Sequence, residues 1–229
     1  MKAVILAAGK GTRMGKLGEE TPKPLLKVLG RTLLEHKLDL MPESIDEVIL
    51  VVGHLKEQII GAIGGKYRNL KITYVILDRL LGTADALFAC KDLLLKEAKF
   101  LVMNGDDIYS KKDMEEMARD GWAMLICKTD TLLGRGKVVF DENKNIANVI
   151  EKYPKDEAGF VCGGLYTLTP EIFKYEMIKI PGGEYGLPQT ILSAKKNHEI
   201  RAVEGSFWLQ ITRPEDLQIA EKYFNKKAE

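Results

Sequence analysis

The regular alternation of strand and helix patterns over the first half of the chain constrains its fold more than any other feature. Short continuous apolar runs are typical of strands buried on both faces, and apolar residues at every third or fourth position are typical of helices packed on a sheet. Strands are predicted at 3–8, 47–52, 71–77 and 100–103, with helices at 32–41, 55–63 and 83–95 between them. This order predicts an α/β fold with a doubly wound, mainly parallel sheet.

The second half of the chain has a different pattern, with shorter strands separated by polar turns. The predicted strands are at 122–128, 137–140, 146–151, 160–167 and 200–203, and the predicted helices are at 113–119, 170–175, 186–196 and 214–224. We expect these strands to form a small antiparallel addition to the parallel sheet. No composition break, repeat or low-complexity segment separates the halves, so we expect a single domain over 1–229.

Composition excludes several classes of partner. The chain has 34 basic and 33 acidic residues, so no net field draws it to nucleic acid or to an anionic membrane. No apolar run approaches the roughly 20 residues of a membrane-spanning helix. Cys90, Cys127 and Cys162 lack the spacing of a disulfide framework or a zinc site, which indicates buried, reduced thiols of a cytoplasmic protein.

Three loops are predicted to meet at one edge of the sheet. Ligands of open α/β sheets bind outside the carboxyl ends of the strands. The loops that leave those ends are the glycine-rich segment after 3–8, the turn around Gly82 after 71–77, and the segment with Asp106 and Asp107 after 100–103. We therefore expect one crevice that is lined by all three.

The glycine-rich segment has Gly9, Gly11 and Gly15, a spacing that fits neither a dinucleotide-binding fold nor a P-loop. Its glycines allow close approach of a ligand and offer backbone N–H groups to an anion. Arg13 adds a planar guanidinium, and Lys23 lies between two prolines that restrict its backbone. These features predict a phosphate site; the alternative is a tight turn flanked by solvated surface cations.

Asp106 follows a buried strand and a glycine, as a magnesium-binding carboxylate often does. Mg²⁺ takes one or two protein carboxylates and completes its shell with water and substrate phosphates. The alternative is that Asn104-Gly105-Asp106 is only a turn. For Asp107 we expect either capping of the next helix or exposure to solvent.

Six motifs resemble, in order and over nearly the whole chain, those of the sugar-phosphate nucleotidyltransferases. They are LAAGKGTRM (6–14), PKPLL (22–26), LGTA (81–84), NGD (104–106), VIEK with GGLY (149–152 and 163–166) and WLQITRPEDL (208–217). The resemblance implies a Rossmann-like domain of the GT-A type, with a nucleotide-binding half at 1–120 and a sugar-binding half at 121–229. Larger members of the family continue into a left-handed β-helix with a second activity, which we do not expect here.

The resemblance also implies a reaction, in which a sugar 1-phosphate attacks the α-phosphorus of an NTP to give an NDP-sugar and pyrophosphate, with Mg²⁺ as cofactor. The catalytic residues it implies are Arg13, Lys23 and Asp106. The implied nucleotide-binding residues are Leu6, Ala7, Ala8, Gly9, Gly11, Thr12, Leu77, Gly82 and Thr83. The implied residues of the sugar-phosphate site are Gly105, Glu151, Lys152, Gly164 and Glu184. The implied metal ligands are Asp106 and Gln210. A homo-oligomer is compatible with the sequence, which does not indicate its state.

Two positions depart from the family pattern. Leu77 stands where many uridylyl- and thymidylyltransferases have a glutamine that reads the pyrimidine. Gln210 stands where an aspartate usually completes the metal site, and in an alternative alignment with the acetylglucosamine 1-phosphate branch Phe207 replaces an asparagine ligand. UTP or dTTP is the favoured donor and CTP stays open. The departures keep two alternatives open: a catalytically weakened regulatory relative, and a cytidylyltransferase acting on a non-sugar phosphate.

Overall fold

The computed structural model of the protein describes residues 1–119 and 121–228. Its strands are β1 (Lys2–Leu6), β2 (Lys27–Val28), β3 (Arg31–Thr32), β4 (Glu47–Val52), β5 (Lys66–Tyr67), β6 (Leu70–Ile76), β7 (Phe100–Asn104), β8 (Asp107–Tyr109), β9 (Ala123–Thr129), β10 (Lys137–Phe140), β11 (Ile146–Ile150), β12 (Gly159–Leu168), β13 (Arg201–Glu204) and β14 (Trp208–Gln210). Its α-helices are α1 (Lys16–Glu20), α2 (Leu33–Asp39), α3 (Lys56–Ile63), α4 (Thr83–Phe88), α5 (Lys91–Leu94), α6 (Lys111–Met117), α7 (Leu187–Ser193) and α8 (Glu215–Ala228). Short 3₁₀ helices form at Thr12–Met14, Lys23–Leu25 and Pro170–Lys174.

Among the described residues, ten strands form one sheet at the centre of the fold. Strands β6, β4, β1 and β7 lie side by side and are parallel, with β4 on one side of β1 and β7 on the other. After β1, the chain adds β4 and then β6 on one side of β1, and it later adds β7 on the other side. This reversal between β1 and β7 is the switch point at which open α/β sheets bind ligands.

The antiparallel part of the sheet begins at β12, which pairs with β7 and with β9. Strands β10 and β11 extend the sheet as a hairpin, and β13 pairs with β9 in parallel. The predicted α/β fold with a mainly parallel core is thus confirmed. The antiparallel pairs are not confined to the second half, since β5 pairs with β6 and β2 with β3.

The two faces of the parallel strands bury different side chains, as the period-two geometry of a strand requires. In β1, Ala3 and Ile5 pack into the cluster on one face, whereas Val4 packs into the cluster on the other. In β4, Leu50 and Ile49 divide in the same way. The continuous apolar runs seen in the sequence follow from this burial on both faces.

Several predicted elements differ in detail. The helix predicted at 83–95 is two helices, because the backbone N–H of Cys90 donates to the carbonyl of Leu87 and tightens the turn between α4 and α5. The helix predicted at 170–175 is a 3₁₀ helix. Cys90 and Cys127 are buried as expected, but Cys162 is only half-buried. Within the described residues, no helix has the length and apolar character needed to cross a membrane.

A third apolar cluster lies beside the sheet and joins α8 to the glycine-rich segment. Met14, Ile211 and Ala220 are buried in it together. Phe207 stacks on Tyr223 of α8 with ring centroids 3.6 Å apart. This cluster attaches the segment before β14 and the segment after β1 to the same helix.

Candidate active site

A cleft of about 880 Å³ lies at the carboxyl ends of β1, β6 and β7. It is lined by most of the residues that the sequence singled out, namely Leu6, Ala8, Gly9, Gly11, Thr12, Arg13, Leu77, Gly82, Thr83, Asp106, Glu151, Lys152, Gly164, Glu184 and Gln210. The remaining three, Ala7, Lys23 and Gly105, do not line it. The expected convergence of three loops on one crevice is therefore observed.

The glycine-rich segment turns sharply just after the carboxyl end of β1. Gly11 has a φ of 66°, in the left-handed region that favours glycine, and its carbonyl accepts a hydrogen bond from the N–H of Met14. A Cβ atom added at Gly18 would lie 2.5 Å from the Gly11 oxygen, so α1 packs directly against the turn. Gly9, Lys10 and Arg13 are left exposed on the cleft side.

Lys23 lies beneath this turn rather than in solvent. Its side chain is 9% exposed, and a Cβ atom at Gly11 would lie 3.3 Å from its Cγ. The Nζ atom is 3.0 Å from Oδ2 of Asp106 and donates a second hydrogen bond to the carbonyl of Ile211 at 3.1 Å. The lysine thereby links the glycine-rich segment, the end of β7 and the end of β14.

Asp106 lies in the turn between β7 and β8, where β14 runs antiparallel to β8. The N–H of Ile211 donates to the Asp106 carbonyl, and Gln210 pairs with Asp107 in the strand register. Gln210 therefore enters the cleft on the strand beside Asp106. No group of three or more His, Cys, Asp and Glu side chains that could hold a metal is found within 1–119 and 121–228. The oxygen donors here are one carboxylate and one amide, a set that suits Mg²⁺ when substrate phosphates supply the rest.

Ala7 and Gly105 lie behind the cleft, directly after the ends of β1 and β7. The N–H of Gly105 donates to the carbonyl of Leu6, and a Cβ atom at Gly105 would lie 2.8 Å from that oxygen. Ala7 is buried and its N–H donates to the carbonyl of Val51. Gly105 therefore ties the end of β7 to β1, and Ala7 ties the end of β1 to β4; neither residue lines the cleft.

Asp107 is buried, so both of our expectations for it were wrong. Its side chain is 1% exposed and accepts hydrogen bonds from the Asn104 amide at 2.9 Å and from the Tyr109 hydroxyl at 3.3 Å. The cap of α6 is instead Ser110, whose hydroxyl accepts from the N–H of Asp113. Burial and the neighbouring Asp106 charge raise the pKa of Asp107 to about 7.

The cation that accompanies Asp107 is Lys37 of α2, which the sequence did not single out. Lys37 is buried, donates to the carbonyl of Asn104 and lies over the Tyr109 ring at 5.3 Å. Burial lowers its pKa to about 8, and the Asp107 charge opposes that change. Behind Asp106, therefore, the buried Lys37 joins α2 to the end of β7, and its charge lies near that of Asp107.

One end of the cleft is apolar and held by backbone contacts. Gly82 has a φ of 118°, and a Cβ atom there would collide with the backbone of Tyr185. The hydroxyl of Thr83 accepts a hydrogen bond from the N–H of Leu187, which occupies the side chain at the start of α7. Leu77 is half-buried and lines this end of the cleft.

Another part of the cleft wall is polar. The Gln189 amide nitrogen donates to Oε1 of Glu151 at 3.2 Å and to the carbonyl of Val149 at 2.9 Å. Gly164 is buried with a φ of 71°, at a bulge in the pairing of β12 with β9. Lys152 and Glu184 are exposed. Glu151 is thus the acidic side chain whose orientation is fixed in this part of the cleft.

The sequence motifs assigned no role to several residues that line the cleft, of which Arg135 and Trp208 stand out. Gly134-Arg135-Gly136 has the composition of a turn, and it does connect β9 to β10. Its arginine faces the cleft, with the guanidinium carbon 5.4 Å from the centroid of the Trp208 ring. A lone cation between two glycines carries no local signal of this contact, whereas Trp208 was visible in its motif.

Comparison with known proteins identifies relatives over nearly the whole chain. A family model described as nucleotidyl transferase matches residues 2–223. A UTP–glucose-1-phosphate uridylyltransferase, AglF, from Haloferax volcanii is 33% identical over 97% of this chain and 96% of its own length. The bifunctional protein GlmU of Methanococcus maripaludis is 30% identical over 99% of this chain and 55% of its own length. The chain thus spans about half the length of the GlmU relatives it matches.

Solved structures show the same fold. A chain described as a glucose-1-phosphate thymidylyltransferase from Bacillus anthracis superposes with a TM-score of 0.84 at 24% identity, over 97% of this chain and 94% of its own. A UDP-glucose pyrophosphorylase crystallised with UDP-glucose gives 0.82 at 19% identity, over 99% and 98%. At these identities the likeness supports the architecture alone.

Proposed function

Because the chain belongs to the nucleotidyl transferase family, we propose that it transfers a nucleotidyl group from an NTP to a sugar 1-phosphate, releasing pyrophosphate. The observation that carries this proposal is the contact of Lys23 with Asp106 beneath the glycine-rich segment. This contact places a cation and a carboxylate beside the glycine-rich turn, at the switch point of the sheet. Binding of a nucleotide alone does not require a lysine fixed on a carboxylate.

In the proposed reaction an oxygen of the sugar phosphate attacks the α-phosphorus of the NTP. A new P–O bond forms while the bond from the α-phosphorus to the oxygen bridging it to the β-phosphate breaks, so pyrophosphate leaves with the electron pair. The nucleophile is already an anion, and no general base is needed. Catalysis depends on alignment of the two substrates and on neutralising their combined negative charge.

The nucleotide would occupy the end of the cleft formed by Leu6, Ala8, Leu77, Gly82 and Thr83. Backbone groups of Gly9, Gly11 and Thr12 with Arg13 would hold the triphosphate. Since the Thr83 hydroxyl is already bonded to Leu187, we assign Thr83 to shaping this end rather than to reading the base.

Lys23 would contact phosphate oxygens at the reacting centre. Asp106 and the Gln210 amide would hold a divalent cation, which we propose to be Mg²⁺ and which would neutralise phosphate charge when bound. Lys23 is anchored on Asp106 and Ile211, so it is positioned before substrates arrive. Such preorganised charge stabilises a transition state without reorganisation during the reaction.

The sugar would occupy the polar part of the cleft around Glu151. Glu151, oriented by Gln189, would accept hydrogen bonds from sugar hydroxyls, and Gly164 and Glu184 would complete the sugar site. Lys152 would contact the sugar phosphate. Gly105, behind the cleft, would support this site by keeping the ends of β1 and β7 close, since a side chain there would collide with Leu6.

For the donor we propose UTP or dTTP. The relative AglF carries UTP and glucose 1-phosphate in its name, which supports a pyrimidine donor. Leu77 has no hydrogen-bonding group, so the base would be read by backbone groups of the surrounding loops. Because Leu77 replaces the glutamine that reads the pyrimidine, a reaction of CTP with a non-sugar phosphate, such as a polyol phosphate, also stays open.

A second candidate function is a binding or regulatory role with weakened chemistry. The observation that favours it is that Gln210 lines the cleft together with Asp106, because an amide supplies no charge to a metal site. Under this alternative the cleft would bind nucleotide or sugar phosphate without turnover.

The deciding experiment follows pyrophosphate release with Mg²⁺, using UTP, dTTP or CTP and glucose 1-phosphate, N-acetylglucosamine 1-phosphate or a polyol phosphate. We expect turnover with at least one pair and its loss in Asp106→Ala. Asp92→Asn, which changes an exposed carboxylate of α5 outside the cleft, is the matched control. Nucleotide binding without turnover for every pair would support the regulatory role instead.

A further inference from the structure

Arg135 is fixed in the cleft by its own backbone. Its N–H donates to the carbonyl of Leu132 at 3.0 Å, and its carbonyl accepts from the N–H of Tyr153 at 2.9 Å. The N–H of neighbouring Gly134 donates back to the carbonyl of Tyr153 at 2.8 Å. Two backbone hydrogen bonds therefore hold the Arg135 turn against Tyr153, the residue that follows Lys152.

The Arg135 guanidinium has few partners for a half-buried charge. It lies over the Trp208 ring at 5.4 Å, and Nη1 donates to the Thr129 hydroxyl at 3.3 Å. Within residues 1–119 and 121–228, no carboxylate forms an ion pair with it. A guanidinium has five N–H donors in a planar fork suited to phosphate oxygens. Most of these donors are available to a ligand in the cleft.

The position of Arg135 indicates which ligand group it meets. The next residue, Gly136, packs on Glu151, since a Cβ atom there would lie 3.3 Å from Oε2. On its other side Arg135 covers Trp208, which is on β14 together with Gln210. Arg135 thus spans the interval between the proposed sugar site and the proposed metal site. In a sugar 1-phosphate bound with its ring at Glu151, the phosphate occupies that interval.

We propose that Arg135 binds the phosphate of the acceptor substrate, with the Trp208 ring holding the guanidinium in place. The inference rests on the proposed function and adds a phosphate-binding residue to it. It predicts that the acceptor is recognised by two cations from the second half of the chain, Arg135 and Lys152. The triphosphate of the donor would be bound by cations of the first half of the chain, Arg13 and Lys23.

The test compares steady-state kinetics of wild type, Arg135→Met, Arg135→Lys and an exposed control, Arg119→Met. We expect Arg135→Met to raise the KM for the sugar 1-phosphate roughly 10- to 100-fold, the range of a lost charged hydrogen bond. The KM for the NTP should change less than about twofold, and Arg119→Met should match wild type. Arg135→Lys should recover part of the loss, because it restores charge without the planar fork.

Direct binding separates this inference from the proposed function. Trp122 and Trp208 are the two tryptophans, so in a Trp122→Phe background fluorescence reports the ring under Arg135. We expect glucose 1-phosphate or N-acetylglucosamine 1-phosphate to change the signal, glucose to leave it unchanged, and Arg135→Met to abolish the response.

Equal affinity of Arg135→Met and the Trp122→Phe parent for these phosphates would overturn the inference, whether or not the protein turns over. So would a parent that binds neither. Lack of turnover combined with Arg135-dependent phosphate binding would contradict the proposed function alone.

Discussion

The Nζ atom of Lys23 lies 3.0 Å from Oδ2 of Asp106, although 83 residues separate them in the chain. Lys23 is nearly buried, whereas the Asp106 side chain is 27% exposed and faces the cleft. The pair therefore has an anchored cation and an accessible carboxylate. This arrangement predicts different consequences for the two residues when each is changed.

We expect Lys23→Met to lower kcat by about 10²- to 10³-fold, the range for removing one preorganised donor from a transition state. Asp106 can be hydrated from the cleft, so the variant should stay folded. Lys27→Met, at an exposed position of β2, is the control. Steady-state kinetics with circular dichroism measure both effects, and a Lys23→Met enzyme with unchanged kcat would contradict the assigned role.

Gln210 sets the charge of the proposed metal site. We expect Gln210→Asp to lower the half-saturating Mg²⁺ concentration by roughly tenfold, or about 1.4 kcal/mol, because a second carboxylate adds charge beside Asp106. Asp106→Asn should raise that concentration. Activity measured against Mg²⁺ at saturating substrates gives both values, and an unchanged Mg²⁺ requirement in Gln210→Asp would place residue 210 outside the site.

The buried pair Lys37 and Asp107 predicts strong coupling in stability. Lys37→Met should destabilise the protein by about 1–3 kcal/mol, because it leaves the Asn104 carbonyl without its donor and removes the positive charge near Asp107. Combining it with Asp107→Asn should restore roughly 1–3 kcal/mol relative to the sum of the single changes. Denaturant unfolding of wild type, the two single variants and the double variant gives the free energies of this double-mutant cycle. Additive effects would show that the two charges do not interact.

Sequence patterns predicted the parallel core because its strands are local features. The apolar run at the start of the chain and the alternation that follows fix four neighbouring strands and the edge at which their loops meet. The glycine-rich segment, Lys23 and Asp106 were visible for the same reason, since each belongs to a short motif beside a strand.

Features that depend on distant pairing were not predictable. Strands β8 and β14 are three residues each and form only because Tyr109 meets Trp208 across the fold. Lys37 has the sequence context of a surface lysine on a helix, and nothing local shows that Asp107 will be buried beside it. In the sequence Arg135 belongs to an ordinary turn, and only the positions of β10 and β14 in the fold place it at the cleft.

The bulge at Gly164 is predicted to tolerate no side chain. Its φ is 71°, and a Cβ atom there would press on Asn104 and lie 2.8 Å from Oδ2 of Asp107. Gly30 has a similar φ of 79° with open space around it, so Gly30→Ala isolates the backbone cost at about 1–2 kcal/mol. Gly164→Ala should cost about 1–3 kcal/mol more, from overpacking. Thermal or denaturant unfolding compares them, and equal losses would remove the packing argument.

Leu77 is predicted to limit how strongly the cleft discriminates between bases. It lines the apolar end, and no side-chain donor or acceptor is offered from its position. Leu77→Gln would add an amide that can pair with the edge of a pyrimidine, so we expect kcat/KM for UTP or dTTP to rise relative to ATP by about fivefold or more, near 1 kcal/mol. Leu77→Met, which keeps the apolar character, is the matched control. Competition between UTP, dTTP, CTP and ATP for one acceptor gives the ratios directly. If Leu77→Gln leaves them at the wild-type values, the base lies away from residue 77 and the assignment of this end of the cleft to the nucleotide is wrong.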